Sequence, residues 1–128
     1  MLRLESLRDS GKTVVLLHGR DQETVEALVS RLRSLAADVV AEVPIHEMSG
    51  VSSIGGCQVV ATNRSGRPGI WPESVPGAYR WLQDSEGWLQ AAELAEPVGR
   101  AAAESEARFQ LLEAQGSATL ILSTERSW

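Results

Sequence analysis

The sequence is poor in several residue types on which specific chemistry depends. Its 128 residues include one cysteine, one phenylalanine, one tyrosine and one lysine, and the other eleven basic residues are arginine. A lone cysteine, Cys57, can neither form an internal disulfide nor supply a zinc cluster, which favours a reducing compartment. The formal net charge of -5 and the lack of a basic stripe argue against nucleic-acid binding, which requires several phosphates to be neutralised.

The sequence also has no apolar run long enough to span a bilayer. Residues 1–12, MLRLESLRDSGK, mix charges and contain no apolar core of a secretory signal. We therefore predict a cytoplasmic protein without a membrane partner. The length suits one domain with its own hydrophobic core, so residues 1–128 are predicted to form a single domain. Arginine in place of lysine, together with abundant alanine, indicates a bacterial source with a GC-rich genome.

The clearest structural signal lies in residues 12–36, KTVVLLHGRDQETVEALVSRLRSLA. Residues 13–17 are an apolar run rich in β-branched side chains, which predicts a strand buried on both faces. Asp21 is placed to cap a helix, because its carboxylate can accept a hydrogen bond from a backbone N–H of the first turn. The apolar residues that follow recur at helical spacing and define one stripe: Val25, Leu28, Val29, Leu32, Leu35 and Ala36.

The middle of the chain is rich in turn residues. Residues 38–43 predict either a second strand or a continuation of the helix. Residues 44–56 predict a loop, and residues 57–62 a strand that ends in a turn at residues 63–66. Residues 67–71 are predicted to return as the second arm of a hairpin. Pro68, Pro72 and Pro76 are expected to keep residues 67–77 extended and loop-like, so a strand here would have to lie at an edge of the sheet.

The second half of the chain adds a helix and a hairpin. From Ala78 the aromatic-rich sequence predicts a helix, which Pro97 and Gly99 are expected to break or kink. Residues 107–125 predict two strands joined at residues 115–117. With the first strand and helix, this pattern predicts an α+β fold, a single two-layer domain in which helices pack on a mixed or antiparallel β-sheet.

The sequence shows no catalytic or metal-binding constellation, so no active site, cofactor or metal site is predicted. Cys57 opens an apolar strand, where a free cysteine usually packs as a small hydrophobe. His18 and His46 are not spaced with a second zinc ligand. Glu104 and Glu106 lie in an Ala-rich polar stretch that is typical of a solvated face.

The strand-to-helix turn has two interpretations. VVLLHGRD followed by a helix resembles the opening of TIR-like nucleotide-binding domains, and a flavodoxin-like sheet would place a ligand at the same turn. In that case the chain binds a nucleotide at residues 19–21. In the other case the turn only joins a strand to a helix that Asp21 caps.

Aromatic residues provide the candidate interaction surface. Trp71, Tyr79, Trp81 and Trp88 lie in or beside proline-rich and polar stretches, and Trp and Tyr commonly anchor protein interfaces. We predict that these four residues bind a protein partner. The alternative is that some of them fill the core beneath the long loop. Trp128 either joins this group or belongs to a frayed end.

From residue 50 onward the chain resembles the Roadblock/LC7 family. The resemblance rests on NRSGRP (63–68) at the family's hairpin turn, AAELAE (91–96) on its central helix, and FQLLEAQGSATLILST (109–124) at its strand meander. The family's further strand and last helix do not follow this hairpin. Residues 12–36 look like that pair moved to the front by circular permutation, or like an added strand before the family's first helix.

In this family the sheet extends across a dimer, and the domain regulates or scaffolds Ras-like GTPases without being a catalyst. The resemblance therefore implies a cytoplasmic adaptor or regulatory protein that is not an enzyme and acts through protein–protein interaction. Its implied partners are a second copy of the chain, another Roadblock protein or a Ras-like small GTPase. The competing hypothesis is the nucleotide-binding domain with its ligand at residues 19–21.

Overall fold

A computed structural model describes residues 1–64 and 66–127 as two α-helices packed on a nine-stranded mixed sheet. The strands are β1 (Leu2–Asp9), β2 (Lys12–His18), β3 (Glu42–Pro44), β4 (Val51–Ser53), β5 (Gln58–Asn63), β6 (Gly69–Pro72), β7 (Ala78–Gln83), β8 (Phe109–Glu113) and β9 (Ala118–Ser123). The helices are α1 (Gln22–Ala36) and α2 (Ser85–Ala103), with one 3-10 turn at Ile45–Glu47. The predicted α+β class is confirmed.

The strand order in the sheet is β3-β5-β7-β6-β9-β2-β1-β4, and β8 also pairs with β9. β9 is central, because it runs parallel to β2 and antiparallel to both β8 and β6. The hairpin predicted for residues 107–125 is confirmed as β8 and β9. The strand predicted for residues 13–17 is confirmed as β2, in which Val14, Val15, Leu16 and Leu17 are all buried.

The sheet is strongly curled. The Tyr79 hydroxyl oxygen of β7 lies 3.2 Å from the Ser6 hydroxyl oxygen of β1, although these strands are separated by β6, β9 and β2. In a flat sheet with about 4.8 Å between neighbouring strands, the backbones of β7 and β1 would be about 19 Å apart. The face that carries both hydroxyls is therefore concave, and the main hydrophobic core lies on this face. We call the opposite face convex.

The two helices pack on the concave face and against each other. The apolar stripe predicted for α1 is confirmed, since its Val and Leu residues are buried. A β-carbon added at Gly99 of α2 would lie 3.1 Å from Val25 Cγ1 of α1, so glycine allows the helices to approach closely here. Pro97 and Gly99 were predicted to break or kink α2, and the break does not occur, because α2 continues through both residues to Ala103. Its buried side chains stabilise it despite the hydrogen bond that proline removes.

Residues 78–83 form strand β7, which corrects the predicted helix. This stretch pairs along its whole length with β5, and residues 79–82 also pair with β6 on the other side. Aromatic residues favour strands, and the burial of Trp81 on the sheet outweighs the helical pattern that follows it. α2 begins only at Ser85, because the Asp84 carboxylate accepts a hydrogen bond from the Gly87 N–H at 2.8 Å and caps the helix.

β6 lies between β7 and β9, so its predicted position at an edge is wrong. Pro68 precedes the strand and Pro72 ends it, and neither removes a hydrogen bond from its centre. The Ile70 N–H donates to the Gln115 carbonyl at 3.0 Å, and the Ile70 carbonyl accepts from the Ser117 N–H at 2.7 Å. β6 pairs with β7 and β9 and not with β5, so the predicted hairpin of residues 57–71 does not form.

Three strands arise where the sequence predicted none or left the choice open. β1 forms a hairpin with β2, and β4 lies inside the predicted loop of residues 44–56. Residues 38–43 were predicted to be either a strand or a continuation of the helix. The strand agrees better with the structure, because α1 ends at Ala36 and β3 begins at Glu42. Ser65 of the predicted turn lies outside the described residues.

Candidate functional site

The strand-to-helix turn is filled by the protein's own groups. The Asp21 carboxylate accepts hydrogen bonds from the Thr24 N–H at 3.0 Å and from the Thr24 hydroxyl at 2.7 Å, which confirms the predicted N-cap. The Met1 amino group lies 2.6 Å from the same carboxylate, and a β-carbon at Gly19 would lie 2.5 Å from the Met1 carbonyl oxygen. An anionic ligand would have to displace Asp21 from this helix N-terminus.

The strands on either side of α1 do not form the unit that nucleotide-binding sheets use. β2 and β3 are separated in the sheet order by β5, β7, β6 and β9. A nucleotide site of the flavodoxin type requires a helix that connects parallel strands of one βαβ unit next to a crevice. No observation at residues 19–21 therefore favours the nucleotide-binding alternative.

The N-cap of α1 gives the fold an acid-sensitive contact. Hydrogen bonds from the N-terminus and from Thr24 lower the pKa of Asp21 from 3.8 to about 2. Because the pKa is lower in the folded state, the ionised carboxylate stabilises the fold above about pH 4, and this contribution is lost as the pH falls toward 2. We expect Asp21→Ala to lower the free energy of unfolding by about 1 kcal/mol at neutral pH and by much less near pH 2.

Urea unfolding of both proteins at the two pH values measures this difference. Asp21→Asn is the matched control, because asparagine caps helices but does not titrate. An equal loss for Asp21→Ala at both pH values would contradict the role of the charge.

A polar cluster that includes the buried Glu5 and His18 lies on the convex face of β1 and β2. His18 Nε2 lies 2.6 Å from Glu5 Oε2, and Arg126 donates a hydrogen bond to Glu5 Oε1 at 3.2 Å. Burial opposes ionisation of Glu5, but the hydrogen bonds from His18 and Arg126 outweigh it and hold its pKa below the ordinary value. Ser123 is the neighbour of His18 on β9, and its hydroxyl donates to the Ser127 carbonyl. The serine is thus engaged by the chain that follows β9 and does not complete a nucleophilic triad.

The remaining candidate residues have structural roles. Burial raises the pKa of the Cys57 thiol to about 11, so the thiol is protonated and unreactive at neutral pH. His46 Nδ1 accepts a hydrogen bond from the Val59 N–H at 3.2 Å. Glu104 and Glu106 are exposed after α2, as predicted. Within residues 1–64 and 66–127, no group of three or more His, Cys, Asp or Glu side chains could hold a metal ion.

The four aromatic residues predicted to bind a partner do not share one surface. Trp81 and Trp88 are fully buried and meet edge to face, with their ring centroids 4.7 Å apart. They fill the core, as the alternative interpretation allowed. Tyr79 is half-buried beside the same core, whereas Trp71 is half-buried on the convex face. Trp128 lies outside the described residues.

Strand β8 presents an apolar surface that the sequence analysis did not single out. Within the described residues it pairs with β9 on one side and with no strand on the other. Phe109 is 55% exposed and Leu111 is 40% exposed. Leu111 pairs across the strands with Ile121, which clusters with Val14 and Leu16 on the convex face. The alternation of Phe109 and Leu111 was the signal available in the sequence, and we call these two residues and Ile121 the β8 surface.

Comparison with known proteins does not assign this chain to a family. No protein-family model, curated protein or solved structure matches it. In the part of the chain that the structure describes, no helix is long and apolar enough to cross a membrane. The function is therefore inferred from the surfaces themselves.

Proposed function

We propose that the chain is a non-catalytic adaptor or regulatory protein that self-associates through strand β8. The observation that carries this proposal is the pair of exposed apolar side chains, Phe109 and Leu111, on an edge strand. An unpaired edge leaves backbone N–H and C=O groups available to another strand. Apolar side chains on the same strand gain free energy when a second copy covers them.

β8 lacks the features that hinder strand pairing at β3 and β4, the two strands at the ends of the sheet order. β3 is three residues long and contains Glu42 and Pro44, and β4 is also three residues long. Short length, charge and proline all hinder the addition of a strand. The first three positions of β8, Phe109, Gln110 and Leu111, carry neither charge nor proline. β8 is therefore the edge best suited to receive a second copy.

A symmetric antiparallel pair satisfies the geometry of this edge. If the two-fold axis passes through Gln110, then Phe109 of one copy faces Leu111 of the other on the convex face. Cross-strand apolar pairs of this kind contribute about 0.2–1 kcal/mol each, in addition to the burial of their surface. The pairing would also lie beside the cluster that contains Ile121, the cross-strand partner of Leu111. The sheet would then continue from one copy into the next.

The resemblance to the Roadblock/LC7 family supplies the class of partner. We propose that the dimer scaffolds or regulates a Ras-like small GTPase, or pairs with another Roadblock protein, in a bacterial cytoplasm. Within the described residues, a buried unreactive thiol and a buried histidine engaged with Glu5 support a protein that binds and does not catalyse.

The test is the mass in solution. We expect light scattering to give twice the 13.8 kDa chain mass for the wild-type protein. Leu111→Lys should weaken the dimer at least tenfold, because lysine on an edge strand hinders pairing and the apolar contact is lost. Val75→Lys is the control, since Val75 is 61% exposed in the loop before β7 and receives the same charge.

A wild-type protein that stays monomeric at high concentration would overturn self-association through β8. Equal weakening by Val75→Lys would show that added charge, and not the β8 surface, controls the mass. The GTPase is tested separately by adding a Ras-like GTPase from the same genome to the dimer. A stable complex supports the partner class, and unchanged masses of both proteins reject it.

A further inference from the structure

We infer that a cleft around Trp71 binds an acidic peptide segment of a protein partner. The cleft has a volume of about 370 Å³ and lies at strands β6 and β7, where Trp71 and Leu82 line it together with Arg64, Arg67 and Arg80. Trp71 and Arg80 are register partners on the convex face of the sheet. This site shares no residue with the β8 surface, so it goes beyond the proposed dimer and is tested independently. We call it the Trp71 cleft.

Two contacts with Arg67, four positions earlier in the chain, hold Trp71 in a fixed orientation. Its Nε1 donates a hydrogen bond to the Arg67 carbonyl at 3.3 Å. The Arg67 guanidinium carbon lies 3.6 Å from the centroid of the indole ring, which is a close cation–π contact. The indole and the guanidinium are therefore arranged before a ligand arrives, which lowers the entropy that binding would cost.

The three arginines differ in how their charges are compensated. Arg80 Nε lies 2.8 Å from Glu73, and Arg80 Nη1 lies 3.0 Å from Glu42, so this guanidinium is already neutralised. Arg64 and Arg67 form no ion pair with any carboxylate of residues 1–64 and 66–127. In a protein with a net charge of -5, two arginines without an ion pair among the described residues thus line one cleft. This charge distribution favours the binding of an anionic group from outside the chain.

The lining of the cleft is complementary to a ligand that carries carboxylates next to apolar side chains. Guanidinium groups bind carboxylates through paired parallel hydrogen bonds. Trp71 and Leu82 offer apolar surface next to them, which a small inorganic anion would leave uncovered. Glu73 also lines the cleft and, with the overall negative charge, repels a polyphosphate such as nucleic acid more strongly than a segment with one or two carboxylates. An extended segment with Asp or Glu next to an apolar residue fits all of these groups.

Selection from a displayed library of random octapeptides tests this site on the intact protein. We expect the recovered peptides to be enriched in Asp or Glu next to an apolar residue. A synthetic peptide from this set should bind at least tenfold more tightly than its version with Gln and Asn in place of the acids. Raising the salt concentration should weaken the acidic peptide and leave the neutral one unchanged.

Variants then assign the binding to the cleft. Arg64→Gln combined with Arg67→Gln should weaken the acidic peptide at least tenfold, and Trp71→Leu at least fivefold. Arg31→Gln is the matched control, because Arg31 is exposed on α1 at the opposite side of the sheet. All variants are first compared with the wild type by thermal unfolding, so that a loss of binding is not confused with a loss of folding.

Three results would overturn the inference. One is a recovered set without enrichment in acidic residues. Another is an acidic peptide whose affinity does not change in the double arginine variant or falls equally in Arg31→Gln. The third is binding of inorganic phosphate or a short oligonucleotide at the Trp71 cleft in preference to every acidic peptide.

Discussion

Replacing Trp81 with alanine is expected to lower the free energy of unfolding by about 4 kcal/mol. Trp81 is fully buried, packs against Trp88 and donates a hydrogen bond from Nε1 to the Glu113 carboxylate at 2.9 Å. The variant loses the packing of a large side chain and leaves a buried carboxylate with one donor fewer. A domain of this size is stabilised by about 5–15 kcal/mol in total. The expected loss is therefore a large fraction of the stability.

Glu113 explains why Trp81 does more than occupy volume. The same carboxylate accepts hydrogen bonds from the Gln83 side chain at 2.6 Å and from the Gln115 N–H at 3.2 Å. Trp81 and Gln83 belong to β7, whereas Glu113 ends β8, and β7 and β8 do not pair. The buried carboxylate thus joins two parts of the sheet that have no backbone hydrogen bonds in common.

Urea unfolding measures the loss, and two further variants locate its cause. Trp81→Phe keeps an aromatic ring but removes the N–H, so it should cost clearly less than alanine. Trp71→Ala is the matched control, because it removes the same side chain from a half-buried position and should cost about 1 kcal/mol. Similar losses for Trp81→Ala and Trp71→Ala would contradict the core position of Trp81.

Gly116→Ala is expected to cost about 3 kcal/mol or more, although it adds a single carbon atom. The φ angle of Gly116 is 94°, a conformation that strains any other residue by about 1–2 kcal/mol. A β-carbon here would also lie 2.6 Å from the Ile70 backbone nitrogen, which is closer than the atoms can approach. β6 would have to move away, and the Ile70–Gln115 and Ser117–Ile70 hydrogen bonds would weaken, each worth about 1 kcal/mol.

Gly11→Ala separates the two parts of this cost. Gly11 has a φ angle of 81°, but a β-carbon there would meet no atom within 4 Å. Its replacement should therefore cost only the conformational strain, about 1–2 kcal/mol. Thermal unfolding of both variants gives the comparison. If Gly11→Ala and Gly116→Ala lose equal stability, the close approach of β6 to the β8–β9 turn is not what requires glycine at position 116.

The elements predicted correctly are those whose signal is local. The β-branched run of β2, the stripe and cap of α1, and the hairpin of β8 and β9 each follow from a few neighbouring residues. β7 was missed because an aromatic-rich stretch next to a strong helix has no distinct local period. Its strand conformation comes from pairing with β5 and β6 and from the pocket that surrounds Trp81.

The candidate surfaces were less accessible to sequence reasoning, because each depends on strand order. Trp71 was identified from its residue type. Arg80, however, lies beside Trp71 only because the register of β6 with β7 makes the two residues partners. Phe109 and Leu111 alternate visibly, yet only the topology shows that β8 is an edge. Trp81 and Trp88 are of a residue type that is common at protein interfaces, but both lie in the core. Nothing in their immediate neighbours distinguishes a core position from an interface position.

The parallel pair of β2 and β9 also sets the order in which the chain can fold. Thr13 pairs with Ala118, more than a hundred positions later, so one edge of β2 stays open until β9 has been synthesised. The β1–β2 hairpin and α1 leave the ribosome long before that. Contacts over such distances slow folding to the millisecond range or beyond. Throughout that interval the open edge of the apolar strand β2 can pair with a strand of another molecule. The edge is covered only when β9 pairs with it.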